Sequence, residues 1–266
     1  MLRIETRGRV RLVTLDRPEA RNAVDPDLAG KLYEAMLEFE ANTNVDVAVL
    51  TGAGGAFCAG FDLKAAARGA AEDWIATLGI PSGWADPIGQ PLVSPMGPAR
   101  LMLSKPVIAA IEGPAVAGGL ELALWCDMRV AAEGAQFGVF CRRWGVPLID
   151  GGTVRLPLAV GQGRANDLIL TGRPVDAAEA LAVGLADRVT AAGQARDAAL
   201  DLADSLTRFP QACLRADHLS ARLPPEELAR RLRREWESVG TALAEGVAGA
   251  ARFAAGQGRG GSFRDI

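Results

Sequence analysis

Glu121 is the only charged residue between Gly113 and Cys126, set among Leu120, Leu122, Ala123, Leu124 and Trp125. A carboxylate taken out of water is costly unless paired or protonated, so one placed at the start of an apparently buried helix is a candidate acid or base. Two glycine-containing loops accompany it, AFCAGFDL at 56–63 and EGPAVAGGLE at 112–121, each behind an apolar run. Such loops turn backbone N–H groups toward one point without intruding side chains, which is how an oxyanion hole is made. Glycines alone are equally compatible with two tight turns; the lone carboxylate beside them favours a site.

Other chemistries lose their support. TGAGGAFCAG lacks the Lys-Ser/Thr of a phosphate loop and the spacing of a dinucleotide fingerprint, and no GxSxG elbow exists. The single histidine, His218, lies in polar DHLSAR and reads as solvated, which leaves a Cys58 or serine nucleophile without a base. Cysteines at 58, 126, 141 and 213 form no CxxC pair, so neither a metal set nor a disulfide is expected.

These residues must be positioned by alternating strands and helices. Ile4 to Leu15 reads as two strands around Gly8, and Asp25-Pro26 opens a helix carrying Leu28, Leu32, Met36 and Phe39 on one face. Strands are expected at Val45–Leu50, Val107–Ile111 and Met128–Ala132, with a buried helix at Leu120–Cys126. The pattern predicts an α/β fold with parallel strands and functional loops at their C-terminal ends. From Val175 onward it reads as helical, with an Asp176/Glu179 capping box and a stripe of Leu228, Leu232, Trp236 and Val239 that must bury itself in the chain's own core or on a neighbouring subunit. Residues 79–98 hold five prolines and four glycines, and read as a loop packing Trp84, Ile88, Leu92, Val93 and Met96 over an apolar ligand.

In 266 residues, 29 Lys and Arg stand against 32 Asp and Glu, and 49% of residues are apolar. That balance offers no field for nucleic acid, and no apolar run is long enough to span a bilayer. Arg3, Glu5, Arg7, Arg9 and Arg11 occupy the place of a signal-peptide core, so the expected address is cytoplasmic.

CAGFDL at 58–63, the stretch 105–138, GGT at 151–153, LTGRPVDAAEALAVGLADRV at 170–189 and LDRPEARNAV at 15–24 together resemble the enoyl-CoA hydratase/isomerase (crotonase) superfamily along nearly the whole chain. The resemblance implies an α/β, crotonase-like (ClpP/crotonase) spiral of β-β-α units over 1–195, a helical trimerisation region over 196–266, and a homotrimer or a dimer of trimers. It also implies an acyl-CoA thioester substrate, with coenzyme A part of that substrate and no separate cofactor or metal. The thioester oxygen would be held by the Phe61 and Gly118 N–H groups, and Arg21, Ala23, Ala59, Asp62, Leu63 and Gly119 would line the CoA or substrate site.

The pattern departs from the family at one position. Glu121 matches the first of the two hydratase glutamates, but the second falls on Cys141, in the wall of the same site. Asp150 sits where some relatives with other activities place a catalytic aspartate, and reads either as a second acid/base or as an Asx-type acceptor before Gly151. Hydration of a 2-enoyl-CoA is the nominal reaction; double-bond isomerisation, other enolate chemistry using Asp150, and a non-catalytic acyl-CoA binder are the alternatives. Arg142 and Arg143 are expected to pair with Asp150 or Glu121 or to face solvent, and Arg252 and Arg259 are the cations left for CoA phosphates.

Overall fold

The computed structural model describes residues 1–257, apart from the side chains of 70–72 and 243. It opens with the expected hairpin: β1 (Leu2–Arg7) runs antiparallel to β2 (Val10–Leu15). α1 (Pro26–Ala41) starts where Asp25 accepts the Leu28 N–H at 2.9 Å, and Leu28, Leu32, Met36 and Phe39 are buried as their spacing requires. Buried Lys105 closes its other end, donating from Nζ to the Phe39 and Asn42 carbonyls at 2.7 Å each.

β3 (Val47–Gly52), α2 (Leu63–Ala66) and α3 (Ala70–Thr77) follow. Next come β4 (Val107–Ile111), β5 (Pro114–Val116), α4 (Gly118–Trp125), β6 (Met128–Ala132) and β7 (Gln136–Gly138). A 3-10 turn at Phe140–Trp144 leads to α5 (Gly152–Val160), α6 (Gln162–Thr171), β8 (Val175–Asp176), α7 (Ala177–Ala182) and β9 (Arg188–Thr190). The chain then turns through α8 (Ala195–Thr207), α9 (Gln211–Ser220), α10 (Pro225–Trp236) and α11 (Val239–Ala254).

The large sheet has the order β1-β2-β3-β4-β6-β9, parallel from β2 onward, and β5-β7-β8 form a small second sheet. Each turn of the chain gives one strand to the large sheet, one to the small sheet, then a helix: β4-β5-α4, and β6-β7 followed by the 3-10 turn. β3 joins the pattern through a bridge between Cys58 and Ala115 ahead of α2. This is the spiral of β-β-α units. One sheet face buries Val13, Leu15 and Leu50 against α1 and its surroundings. On the other, Ala199, Leu202 and Ala203 of α8 cover Val10, Val49, Ile108 and Val130. The central strands β2, β3, β4 and β6 are buried on both faces, which explains their apolar runs, whereas the edge strand β1 is exposed.

The structure corrects several details. β8 and β9 lie in the region read as wholly helical, and β9 extends the large sheet beside β6. The capping box is half made: Asp176 accepts the Glu179 N–H at 2.8 Å, but Arg173 takes the Glu179 carboxylate at 2.9 and 2.6 Å. The C-terminal stripe is broken, because α10 ends at Trp236 and Val239 begins α11; Leu228 and Leu232 pack with Trp84, Met102 and Val154 of the same chain. Segment 79–98 is accordingly not a ligand-covering loop. Trp84 is sunk in that cluster with its indole N–H on the Gln90 carbonyl, Ile88 is exposed, and only Pro95 and Met96 reach the large cavity. His218 is not solvated either: its ring nitrogens lie 3.0 Å from the Ser104 carbonyl and 2.7 Å from Asp127 Oδ1. Among the described residues no helix is long and apolar enough to cross a membrane.

Candidate active site

The loops after β3 and β4 meet backbone to backbone. A Cβ on Gly60, whose φ is +94°, would lie 2.9 Å from the Gly118 nitrogen, so only glycine permits this approach. Ala117 takes φ 54° and ψ −127°, a conformation that is strained for alanine and swings the next N–H away from the helix axis. Among the described residues neither the Phe61 N–H nor the Gly118 N–H donates to a protein acceptor, and both residues line one cavity of about 740 Å³.

A third strand of backbone braces this pair. Arg21 and Asn22 are both left-handed, with φ of 51° and 57°. Buried Asn22 fixes them: its Oδ1 accepts the Arg17 N–H at 2.9 Å, and its Nδ2 donates to the Ala53 and Ala56 carbonyls at 2.8 Å each. The chain beyond is stitched on by Ala59 N–H to Arg21 O at 3.0 Å and Asp62 N–H to Val24 O at 2.8 Å. Asp62 turns its carboxylate to the start of α2, accepting from Lys64 and Ala65, and pairs with Arg17 at 3.0 Å. It lines the cavity, but its bonds are those of a helix cap.

Two carboxylates line the same cavity as the donors. Glu121 is 3% exposed; its Oε1 accepts the Asp150 and Gly152 N–H groups at 2.9 Å each, while Oε2 has no partner among the described residues. Burial, then the nearby charges of Asp150 and Glu235, push the Glu121 carboxyl well above the usual carboxylate range. Asp150 is equally buried, accepts the Met96 N–H at 2.9 Å, and is raised chiefly by burial. Both carboxyls are thus raised, so each gives up its proton less readily than a solvent-exposed carboxylate would.

Of the residues expected on the substrate site, Arg21, Ala23, Ala59, Asp62, Leu63 and Cys141 line the cavity with Phe61, Gly118, Glu121 and Asp150. Gly119 does not; a Cβ there would lie 2.0 Å from the Cys58 carbonyl oxygen, so it is a packing contact between the two loops. Burial drives the Cys141 thiol up to about 12, which removes it as a base at neutral pH. Of the two alternatives for the neighbouring arginines, Arg142 takes the solvent-facing one, donating to the Ile169 carbonyl, while Arg143 is buried against the Phe140 ring at 4.6 Å and pairs with neither Asp150 nor Glu121. Arg252 is not on the cavity wall, and Arg259 lies outside the described residues. The missed residues are Asn22, Arg17 and Glu235, together with the α11 face that roofs the cavity with Val239, Ala242, Gly246 and Ala250. Among the described residues no group of His, Cys, Asp and Glu is arranged to hold a metal ion.

The spiral of β-β-α units, with two unengaged N–H groups lining one cavity with a buried glutamate, defines an enzyme of the crotonase type. The profile of the enoyl-CoA hydratase/isomerase family matches residues 5–237. An enoyl-CoA hydratase of Mycobacterium tuberculosis is 39% identical over 211 residues, covering 77% of this chain and 73% of that protein. A carnitinyl-CoA dehydratase of Proteus mirabilis is 41% identical over 207 residues, covering 77% and 74%. Among solved structures, a carnitinyl-CoA hydratase of Mycobacterium avium superimposes with a TM-score of 0.81 at 32% identity, over 96% of this chain and 95% of that one. The chain belongs to the enoyl-CoA hydratase/isomerase family, and is an acyl-CoA-processing enzyme of that family.

Proposed function

We propose that the enzyme catalyses the reversible addition of water to a 2-enoyl-CoA through a thioester enolate. The observation carrying this reading is the convergence of three groups on one cavity: the Phe61 N–H, the Gly118 N–H and the free Oε2 of Glu121. When water attacks Cβ, negative charge develops on the thioester oxygen, where preorganised N–H donors are worth most. Ionised Glu121 takes the water proton, and Asp150, whose raised carboxyl keeps its proton, gives one to Cα. Dehydration is the same path reversed. Arg21, Ala23, Ala59 and Leu63 lie along the CoA moiety, which enters as part of the substrate; the enzyme works in the cytoplasm as a trimer or a pair of trimers.

A second reading, movement of the double bond, is favoured by Cys141. With a thiol where hydratases carry their second glutamate, Glu121 alone can carry a proton from one carbon to another. Incubation of a short 2-enoyl-CoA in deuterated water, followed by mass spectrometry, separates the readings. Hydration gives a 3-hydroxyacyl-CoA labelled at Cα; isomerisation gives a labelled 3-enoyl-CoA without added water. Binding without exchange overturns both.

A further inference from the structure

The turn at 150–153 presents four successive N–H groups, and two glutamates divide them alternately. Glu121 takes those of Asp150 and Gly152, both at 2.9 Å. Glu235 takes those of Gly151 at 2.6 Å and Thr153 at 2.8 Å, and also the Thr153 hydroxyl at 2.7 Å. Gly151 is left-handed at φ +89°, which is what lets successive amides point to opposite sides. Glu235 is 6% exposed, lies on α10 and does not line the cavity.

We propose that Glu235 is a positioning residue of the active site: it fixes the 150–153 turn from behind, so that two of its amides hold Oε1 of Glu121 and leave Oε2 to the substrate. The inference rests on Glu121 being the acid/base. Without Glu235 two buried amides lose their acceptor, and the turn is free to rotate them onto Glu121 or into the cavity. Such a rotation would engage Oε2 or misplace it, and a displacement of about 1 Å in a catalytic group is worth roughly 10²-fold in rate.

Glu235 also acts on Glu121 by charge. The groups facing Glu121 are Asp150 from the turn, Arg155 from α5, Cys141 from the 3-10 turn and Glu235 from α10. Those facing Glu235 are Glu121, Asp150, Arg155 and Arg100. Arg100 is fully buried, stacks on Trp236 at 4.3 Å and gives Nη1 to the Leu78 and Val93 carbonyls at 2.7 and 2.9 Å. Among the described residues its Nε and Nη2 have no hydrogen-bond partner, so its charge is left to balance the carboxyl cluster. Burial raises Glu235 itself while the Thr153 and Gly151 donors favour its ionised form; when ionised, its charge keeps Glu121 harder to ionise, and removing that charge makes it easier.

The experiment compares Glu235→Gln, Glu235→Asp and Leu228→Ala in the full chain. Leu228 packs α10 in the Trp84 cluster and has no part in the turn, so it controls for loosening the helix. Glu121 titration is followed by NMR of carboxyl-labelled glutamate in the ligand-free enzyme, the signal being assigned with Glu121→Gln. Turnover is read as Cα–H exchange of butanoyl-CoA in deuterated water. Glu235→Gln is expected to lower kcat at least about tenfold with KM within about twofold, and to move the Glu121 midpoint down by about half a pH unit or more. Glu235→Asp keeps the charge but shortens the reach, so the midpoint stays and kcat still falls. Leu228→Ala lowers Tm and leaves kcat and midpoint near wild type.

The proposal is overturned if Glu235→Gln leaves both midpoint and kcat unchanged, or if Leu228→Ala lowers kcat as much at equal loss of Tm. Should Glu121→Gln itself still exchange the proton, the functional reading fails instead; the midpoint of Glu121 in the resting enzyme tests Glu235 independently of turnover.

Discussion

The two halves of the site are built by different means. The N–H donors at Phe61 and Gly118 come from adjacent loops at the ends of neighbouring strands, and their aim is set by local backbone: Gly60, strained Ala117 and the Asn22 clamp. The carboxyl half gathers Glu121 from α4, Asp150 from a turn and Glu235 from α10, groups far apart in sequence; Glu121 and Glu235 divide the amides of the turn that carries Asp150. Backbone donors tolerate changes of side chain so long as the chain path holds. A carboxyl cluster depends on each member, because every charge sets the protonation of the next.

That contrast is broken most severely at Glu121. Glu121→Gln keeps shape and hydrogen bonding but removes the proton carrier, so kcat is expected to fall at least ~10² with acyl-CoA affinity nearly kept, measured by steady-state kinetics and calorimetry. The raised Glu121 and Asp150 predict the sign of the pH dependence. A base must be ionised, so the acid limb of kcat lies above the ordinary carboxylate range, and rate is lost as pH falls through it. Asp150→Asn should cost a comparable factor; survival of full activity would reduce Asp150 to an acceptor for the Met96 N–H.

On the donor side, Gly118→Pro deletes one N–H and is expected to cost about 10²–10³ in kcat. Phe61→Ala leaves the N–H in place and should stay within about tenfold of wild type. Equal losses in both would mean that side chains carry this half too. Cys141→Glu sharpens the chemistry: if the surrounding wall is still shaped for hydration, water addition to a short 2-enoyl-CoA rises relative to double-bond movement.

The smallest expected effect lies away from the site. Both His218 nitrogens face acceptors, so the ring is best satisfied with two protons. Burial opposes the charged form, but Asp127 and the Ser104 carbonyl outweigh it and raise the histidine above 6.5. This stabilisation is complete below that value and is lost as pH rises through the folded one. The wild-type Tm should therefore decline over that alkaline step, and His218→Gln should flatten the decline.

What the sequence disclosed follows the same division. The hairpin, α1 and the parallel strands rest on periodicity and on Asp25-Pro26, both local signals, and Glu121 stood out as a lone charge in an apolar run. Glu235 gave no such signal: it sits in RLRREWES, where a buried glutamate reads as one more charge on a solvated helix face. Asn22 carries no signal of its own inside LDRPEARNAV, and its reach across to Ala53 and Ala56 depends on a loop meeting that no spacing encodes. The 79–98 loop reads as ligand-facing because no local spacing shows that Trp84 meets the Leu228 and Leu232 face of α10, far along the chain.

The stacking of the two donor loops also bears on how the enzyme can be re-engineered. At Gly113 a Cβ would lie 2.1 Å from the Gly55 carbonyl oxygen, and at Gly119 2.0 Å from that of Cys58, so no side chain can be added there without parting the strands' ends. Gly246 in the roof of the cavity differs: a Cβ there has its nearest neighbour, Val146 Cγ2, at 3.5 Å, an ordinary contact. Substitutions meant to reshape the chamber belong on α11, at Ala242, Gly246 and Val247 in its wall, rather than on the closely packed glycines of the two loops.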